Sequence, residues 1–153
     1  MQINVVGGTK TQKSYITSMV KFCAKKLMPK MHNLDITVKV TTLKDVYGYC
    51  LSNEDETTDR PRTFEIEVDR SLRLRRLLET VAHEMVHVKQ YARAELYQGV
   101  RIAKHRWKGK WVSNNLDYWD QPWEIEAHGR EAGLFVRWAE ANDLGSKSWT
   151  HDK

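Results

Sequence analysis

The residues with the clearest chemical potential in this sequence are His83, Glu84 and His87, inside the stretch ETVAHEMVHVKQY from Glu79 to Tyr91. In a helix, residues four apart lie about 40° apart around the axis, so both imidazoles leave one face a single turn apart. That spacing suits two histidines holding one zinc ion. Glu84 lies about 100° round from His83. A carboxylate there sits beside the ion, where it can take a proton from metal-bound water. Two ligands leave a tetrahedral site incomplete, so another element has to supply a third.

The segment PWEIEAHGREAG from Pro122 to Gly133 offers Glu124, Glu126 and His128. Glu124 and His128 are four apart and share a helix face, whereas Glu126 lies about 200° round from Glu124. Glu124 is the favoured ligand, and its charge suits the first turn of a helix. His128 then donates a hydrogen bond toward the site, or replaces Glu124 if the helix is rotated.

The elements that position these residues follow from periodicity. Residues 1–9 read as a short strand or tethered terminus ending at Gly7 and Gly8, and an amphipathic helix runs from Thr11 or Ser14 to about Met31. DITVKV (Asp35–Val40), Tyr47–Leu51 and TFEIEV (Thr63–Val68) are three strand candidates, with a polar loop from Asn53 to Arg62. That loop holds EDETTD, which lacks the spaced ligands and central glycine of a calcium loop. Asp69 or Ser71 is expected to cap the helix carrying His83 and His87, and ARAELYQGV to continue or end it. IAKHRWKGKWV suggests a small hairpin around Gly109. Pro122 opens a last helix to about Ala141, with Ile125, Ala132, Phe135, Val136 and Ala139 inward and Gly129 and Gly133 allowing close approach to a neighbour. The expectation is an α+β fold: a small curved, mainly antiparallel sheet, a metal-site helix and a following ligand-bearing helix. It forms a single domain over residues 1–145, with a tail over 146–153.

A chain of 153 residues suits one modest core. The net charge of +5 predicts mild attraction to acidic surfaces. Two cysteines, Cys23 and Cys50, are too few for a disulfide framework or a four-cysteine metal site. MQINVVGGTK carries no secretory pattern, and no stretch approaches about 18 consecutive apolar residues. A cytoplasmic, non-membrane protein is expected.

HEMVH matches the HExxH signature of the zincin metallopeptidases, and the later glutamate resembles the gluzincin arrangement of compact domains in which a short sheet precedes the motif helix. The resemblance spans about Thr63 to Phe135. It implies one Zn2+ ion on His83, His87 and Glu124, Glu84 as general base, and a peptide or protein substrate. WEIEA also resembles the equivalent segment of small phage and bacterial zincin-like proteins, which suggests a phage origin. Many gluzincins place an aspartate near the position of His128, and this chain departs from them there. The small SprT-like zincins are a weaker match; they take a downstream histidine as third ligand, a role open to His105.

Tyr91, Tyr118 and His105 are candidates to stabilise a tetrahedral oxyanion, and Thr63–Val68 is a candidate edge for pairing with an extended substrate. The competing class is a non-catalytic zinc-containing module that binds protein or nucleic acid. Two basic runs raise it: Arg70, Arg73, Arg75 and Arg76, and then Arg101, Lys104, His105, Arg106, Lys108 and Lys110 interleaved with Trp107 and Trp111. The second run allows weak nucleic-acid association. The plainer reading is a solvated hairpin with its tryptophans turned to the core.

Overall fold

The computed structural model describes residues 1–52, 58–99 and 104–152. Part of the 53–62 loop, with most of EDETTD, and Arg101 fall outside the described residues.

The chain opens with β1 (Gln2–Val6) and α1 (Lys10–Leu27), then β2 (Asp35–Thr41), β3 (Gly48–Ser52) and β4 (Thr63–Asp69). These four strands form one sheet in the order β1-β2-β4-β3. The α+β class is as expected, but the sheet is not mainly antiparallel: β1 pairs with β2 and β2 with β4 in parallel, and only β3 runs against β4. The reason is connectivity. Helix α1 carries the chain back to the starting end, which makes β1 and β2 parallel, and β3 lies outermost, leaving the place beside β2 to β4. Thr63–Asp69 is therefore an interior strand, not the expected substrate edge. Among the described residues, the edge strand nearest the helix carrying His83 and His87 is β3.

Alternation does its expected work within each strand. Ile36, Val38 and Val40 of β2 and Phe64, Ile66 and Val68 of β4 are buried on one face, in register with one another. The opposite face carries polar groups such as the Lys39–Glu65 ion pair at 2.8 Å. Gly7 is needed where β1 turns into α1: its φ is +77°, and a Cβ would sit 2.4 Å from the Val40 carbonyl oxygen. Thr9 then caps α1 in a reciprocal box with Gln12.

Helix α2 (Leu74–Ala92) packs its apolar stripe, Leu77, Leu78, Val81, Ala82 and Met85, into the core. Neither Asp69 nor Ser71 caps it. Arg73 occupies that position without a side-chain bond, and Asp69 instead accepts from the Leu43 and Ser71 backbones. The helix stops at Ala92, and part of ARAELYQGV becomes β5 (Leu96–Gln98), which joins β6 (His105–Trp107) and β7 (Lys110–Val112) in a second, antiparallel sheet. The expected hairpin is present, with positive φ at Lys108 and Gly109.

After a 3-10 turn, η1 (Tyr118–Asp120), comes α3 (Pro122–Ala141). It buries Trp123, Ala127, Phe135, Trp138 and Ala139, and the Trp138 indole donates to Ser18 on α1 at 3.0 Å. Ile125 and Val136 point outward instead of inward, and a Cβ at Gly129 or Gly133 would meet nothing, so these glycines mediate no close packing. Residues 146–152 of the expected tail are packed; Lys153 lies outside the described residues. Residues Ser148–His151 form a second 3-10 turn, η2, Trp149 stacks against Tyr15, and Thr150 is buried with its carbonyl bound by Arg75. Among the described residues no helix is long and apolar enough to cross a membrane.

Candidate metal centre

Helices α2 and α3 face each other across a cleft of about 800 Å³. Helix α2 presents Arg76, Thr80, His83 and His87 to it, spaced three or four apart, and α3 presents Glu124, His128 and Glu131. The β3 side of the cleft is formed by Tyr47, Gly48 and Cys50, and the opposite lip by Tyr118 and Trp119 of η1.

The two motif histidines and Glu124 converge. His83 Nε2 and His87 Nε2 lie 3.2 Å apart, Glu124 Oε2 lies 3.2 Å from the first, and Glu124 Oε1 lies 3.3 Å from the second. A tetrahedral zinc site with ligand bonds of about 2.0–2.1 Å has ligand–ligand edges of about 3.4 Å. The observed separations are close to that.

The orientation of each ring is fixed from behind. His83 Nδ1 lies 2.7 Å from Glu131 Oε2, and a carboxylate can only accept, so Nδ1 carries the proton. His87 Nδ1 lies 2.8 Å from Gln90 Oε1. The Gln90 amide nitrogen donates to the Trp123 carbonyl and to Glu126 Oε1, each at 2.9 Å, so its oxygen faces the imidazole and Nδ1 is again protonated. Both Nε2 lone pairs therefore point at the same place as the Glu124 carboxylate, an arrangement that demands a cation, whether proton or metal.

The electrostatics agree. Burial works against charge on His83, but the Glu124 and Glu131 carboxylates outweigh it and raise its pKa to about 9. His87 is also raised: burial opposes, and Glu124 and Glu84 prevail. Glu124 is held well below the usual carboxylate range because contacts to both histidines overcome its burial. Glu84 goes the other way. It is only 4% exposed, and burial pushes its pKa up despite the neighbouring histidines. Gly48 of β3 makes room beside it: a Cβ there would be 3.4 Å from Glu84 Oε1 and 2.8 Å from both the Glu67 carbonyl and Thr80 Cγ2.

His128 also stands in the centre. His83, Glu124 and His128 each offer a ligand atom, all within 4.8 Å of one another, and this group could hold a metal ion. In the present arrangement His128 Nε2 is 2.9 Å from the Tyr118 hydroxyl, which is itself 2.9 Å from Glu124 Oε2. Of the candidate oxyanion groups, Tyr118 thus touches the centre directly, while Tyr91 and His105 line the cleft. His105 stacks on Trp123, ring centroids 4.9 Å apart, and is not part of the cluster. Glu126 points away, held by Lys89 at 2.8 Å, Gln90 and Arg130.

Glu131 and Gln90 were not singled out from the sequence, although the spacing contained them. Glu131 is seven residues beyond Glu124 and Gln90 seven beyond His83, each two turns along the same face. Comparison with protein-family models, curated proteins and solved structures finds no match for this chain. Fold and site define an α+β domain with a candidate metal centre of histidine and glutamate.

Proposed function

We propose that this protein is a zinc-dependent peptidase of the zincin type, with His83, His87 and Glu124 as metal ligands and Glu84 as general base. The observation that supports it most is the convergence of three ligand side chains, with their nitrogen and oxygen atoms 3.2–3.3 Å apart, and a buried, proton-seeking carboxylate beside them on the floor of an open cleft.

A zinc ion held there would supply a Lewis acid for a peptide carbonyl and lower the pKa of bound water. The chain's own groups do the rest. Glu131 and Gln90 keep the Nδ1 protons in place, so that both Nε2 lone pairs stay available. Glu84, its basicity raised by burial, accepts a proton from water and returns it to the leaving amine. The Tyr118 hydroxyl, which donates to Glu124 Oε2 in the present arrangement, would turn its proton toward developing negative charge. The outer edge of β3 at Gly48–Cys50, along the cleft, would offer backbone groups to an extended peptide.

A second reading rests on His128. If its imidazole joined the other three side chains, the ion would have four protein ligands and a closed site of the structural kind, and the protein would be a metal-containing binding module. The contact of His128 Nε2 with Tyr118 favours the open site. Replacing Glu84 by glutamine separates the two readings, because only a peptidase loses activity while keeping its metal.

A further inference from the structure

The second sheet has two unlike faces. Leu96, His105 and Trp107 point inward: Leu96 is buried, and the rings of His105 and Trp107 lie against Trp123. The outer face carries one cross-strand row, since Tyr97 is in register with Arg106 and Arg106 with Trp111. The tryptophans therefore do not both face the core. Trp111 is on the outside and 47% exposed.

The row is ordered. The Arg106 guanidinium lies 4.8 Å from the Tyr97 ring centroid and 5.8 Å from that of Trp111, and the two aromatic rings are 6.3 Å apart. Gly99 gives the indole its place, since a Cβ there would lie 3.2 Å from the Trp111 ring. Lys104 flanks the row, while Lys108 and Lys110 stand at the hairpin end on the Trp107 side, Lys110 in register with Trp107 and Lys108 over its ring at 5.1 Å; all three are exposed. Among the described residues, none of these lysines nor Arg106 has a carboxylate partner. The other basic run differs: Arg73 pairs with Asp152, and Arg75 and Arg76 with Glu79. Among the described residues, basic side chains without a carboxylate partner thus border one exposed, preordered aromatic face.

We propose that this outer face binds single-stranded nucleic acid, with a base stacked on Trp111 beside Arg106, with Lys104 against the phosphates and with Lys108 and Lys110 reaching the strand where it passes the hairpin end. Charge alone would suit any polyanion. The aromatic face is what selects unpaired bases, whose π-faces a duplex keeps stacked inside. The surface lies away from the cleft and does not depend on the hydrolytic reading.

The test is fluorescence anisotropy of the full-length protein with a labelled thymidine oligomer of about 15 nucleotides at low salt. Binding is expected to weaken with salt at a log–log slope of about −2 to −3, as three or four phosphate contacts require. Trp111→Ala should weaken it about 10-fold and Trp111→Tyr much less, while the double reversal Lys108→Glu and Lys110→Glu should abolish it. Absence of binding at low salt overturns the proposal. So does wild-type affinity in Trp111→Ala, equal affinity for a duplex of the same length, or equally effective competition by polyglutamate.

Discussion

His83 Nδ1 and Glu131 Oε2 lie 2.7 Å apart, joining the first motif histidine on α2 to a carboxylate two turns beyond Glu124 on α3. The contact sets the ring's tautomer and raises its basicity as a ligand. Glu131→Ala should therefore weaken zinc binding by about 10–100-fold without changing the stoichiometry at saturation. Competition with a chromophoric chelator measures this, and an unchanged dissociation constant would remove Glu131 from the centre.

Gln90 has the matching role behind His87, with a neutral amide in place of a carboxylate. Gln90→Met keeps most of the volume but leaves the buried His87 Nδ1 proton without its acceptor and takes a donor from the Trp123 carbonyl, while Glu126 Oε1 keeps Lys89 Nζ at 3.0 Å. A loss of about 1–3 kcal/mol of stability is expected from the unsatisfied buried groups. At alkaline pH, where the metal-free ring is neutral, the imidazole 15N shifts of His87 should report a mixture of tautomers in the variant. A single tautomer identical to wild type would contradict the role given to Gln90.

The two groupings of ligands predict different variants. Glu124→Ala should abolish tight zinc binding, while His128→Ala should retain one zinc per chain. If His128→Ala loses the metal instead, the ion belongs to the His83–Glu124–His128 group.

The raised histidines predict a pH dependence for the metal-free protein. His83 rises from the ordinary 6.5 to about 9 on folding, and His87 shifts in the same direction. Between those values the folded state binds more protons than the unfolded one, so stability falls as pH increases. This contribution is fully present below about pH 6.5 and is lost as pH rises through about 9. His105 and His128 shift downward, both mainly by burial, and act below that window. Urea denaturation of the chelated protein at pH 6.5 and 9 should show the lower midpoint at pH 9. Zinc should reverse the trend, because binding displaces the proton. A midpoint that rises with pH without metal would contradict the electrostatics described.

Much of the site was legible because helical spacing is a local property. His83, Glu84 and His87 follow from one turn of α2, and Glu124 from the first turn of a helix whose start Pro122 marks. What lay beyond reading was pairing. The alternation in Thr63–Val68 identifies a half-buried strand, but its neighbours depend on where β3 goes, and nothing within TFEIEV encodes that. Glu126 shows the same limit: helical spacing sets it on a different face from Glu124 but leaves it an alternative ligand, and only the packing of α3 on α2 reveals that it binds Lys89 and Gln90. Trp107 and Trp111, four apart across a turn, face opposite ways because the β6–β7 register puts Trp107 opposite Lys110 and Trp111 opposite Arg106.

The central claim is tested most directly by comparing wild type and Glu84→Gln, both loaded with one zinc per chain, on a mixture of peptides read by mass spectrometry. Wild type should cut at internal peptide bonds, lose that activity on chelation and regain it with zinc. The variant should hold zinc equally well and cut at least about 100-fold more slowly, the scale of a lost general base. Cleavage by Glu84→Gln at the wild-type rate, or by the chelated protein at the loaded rate, would contradict the account.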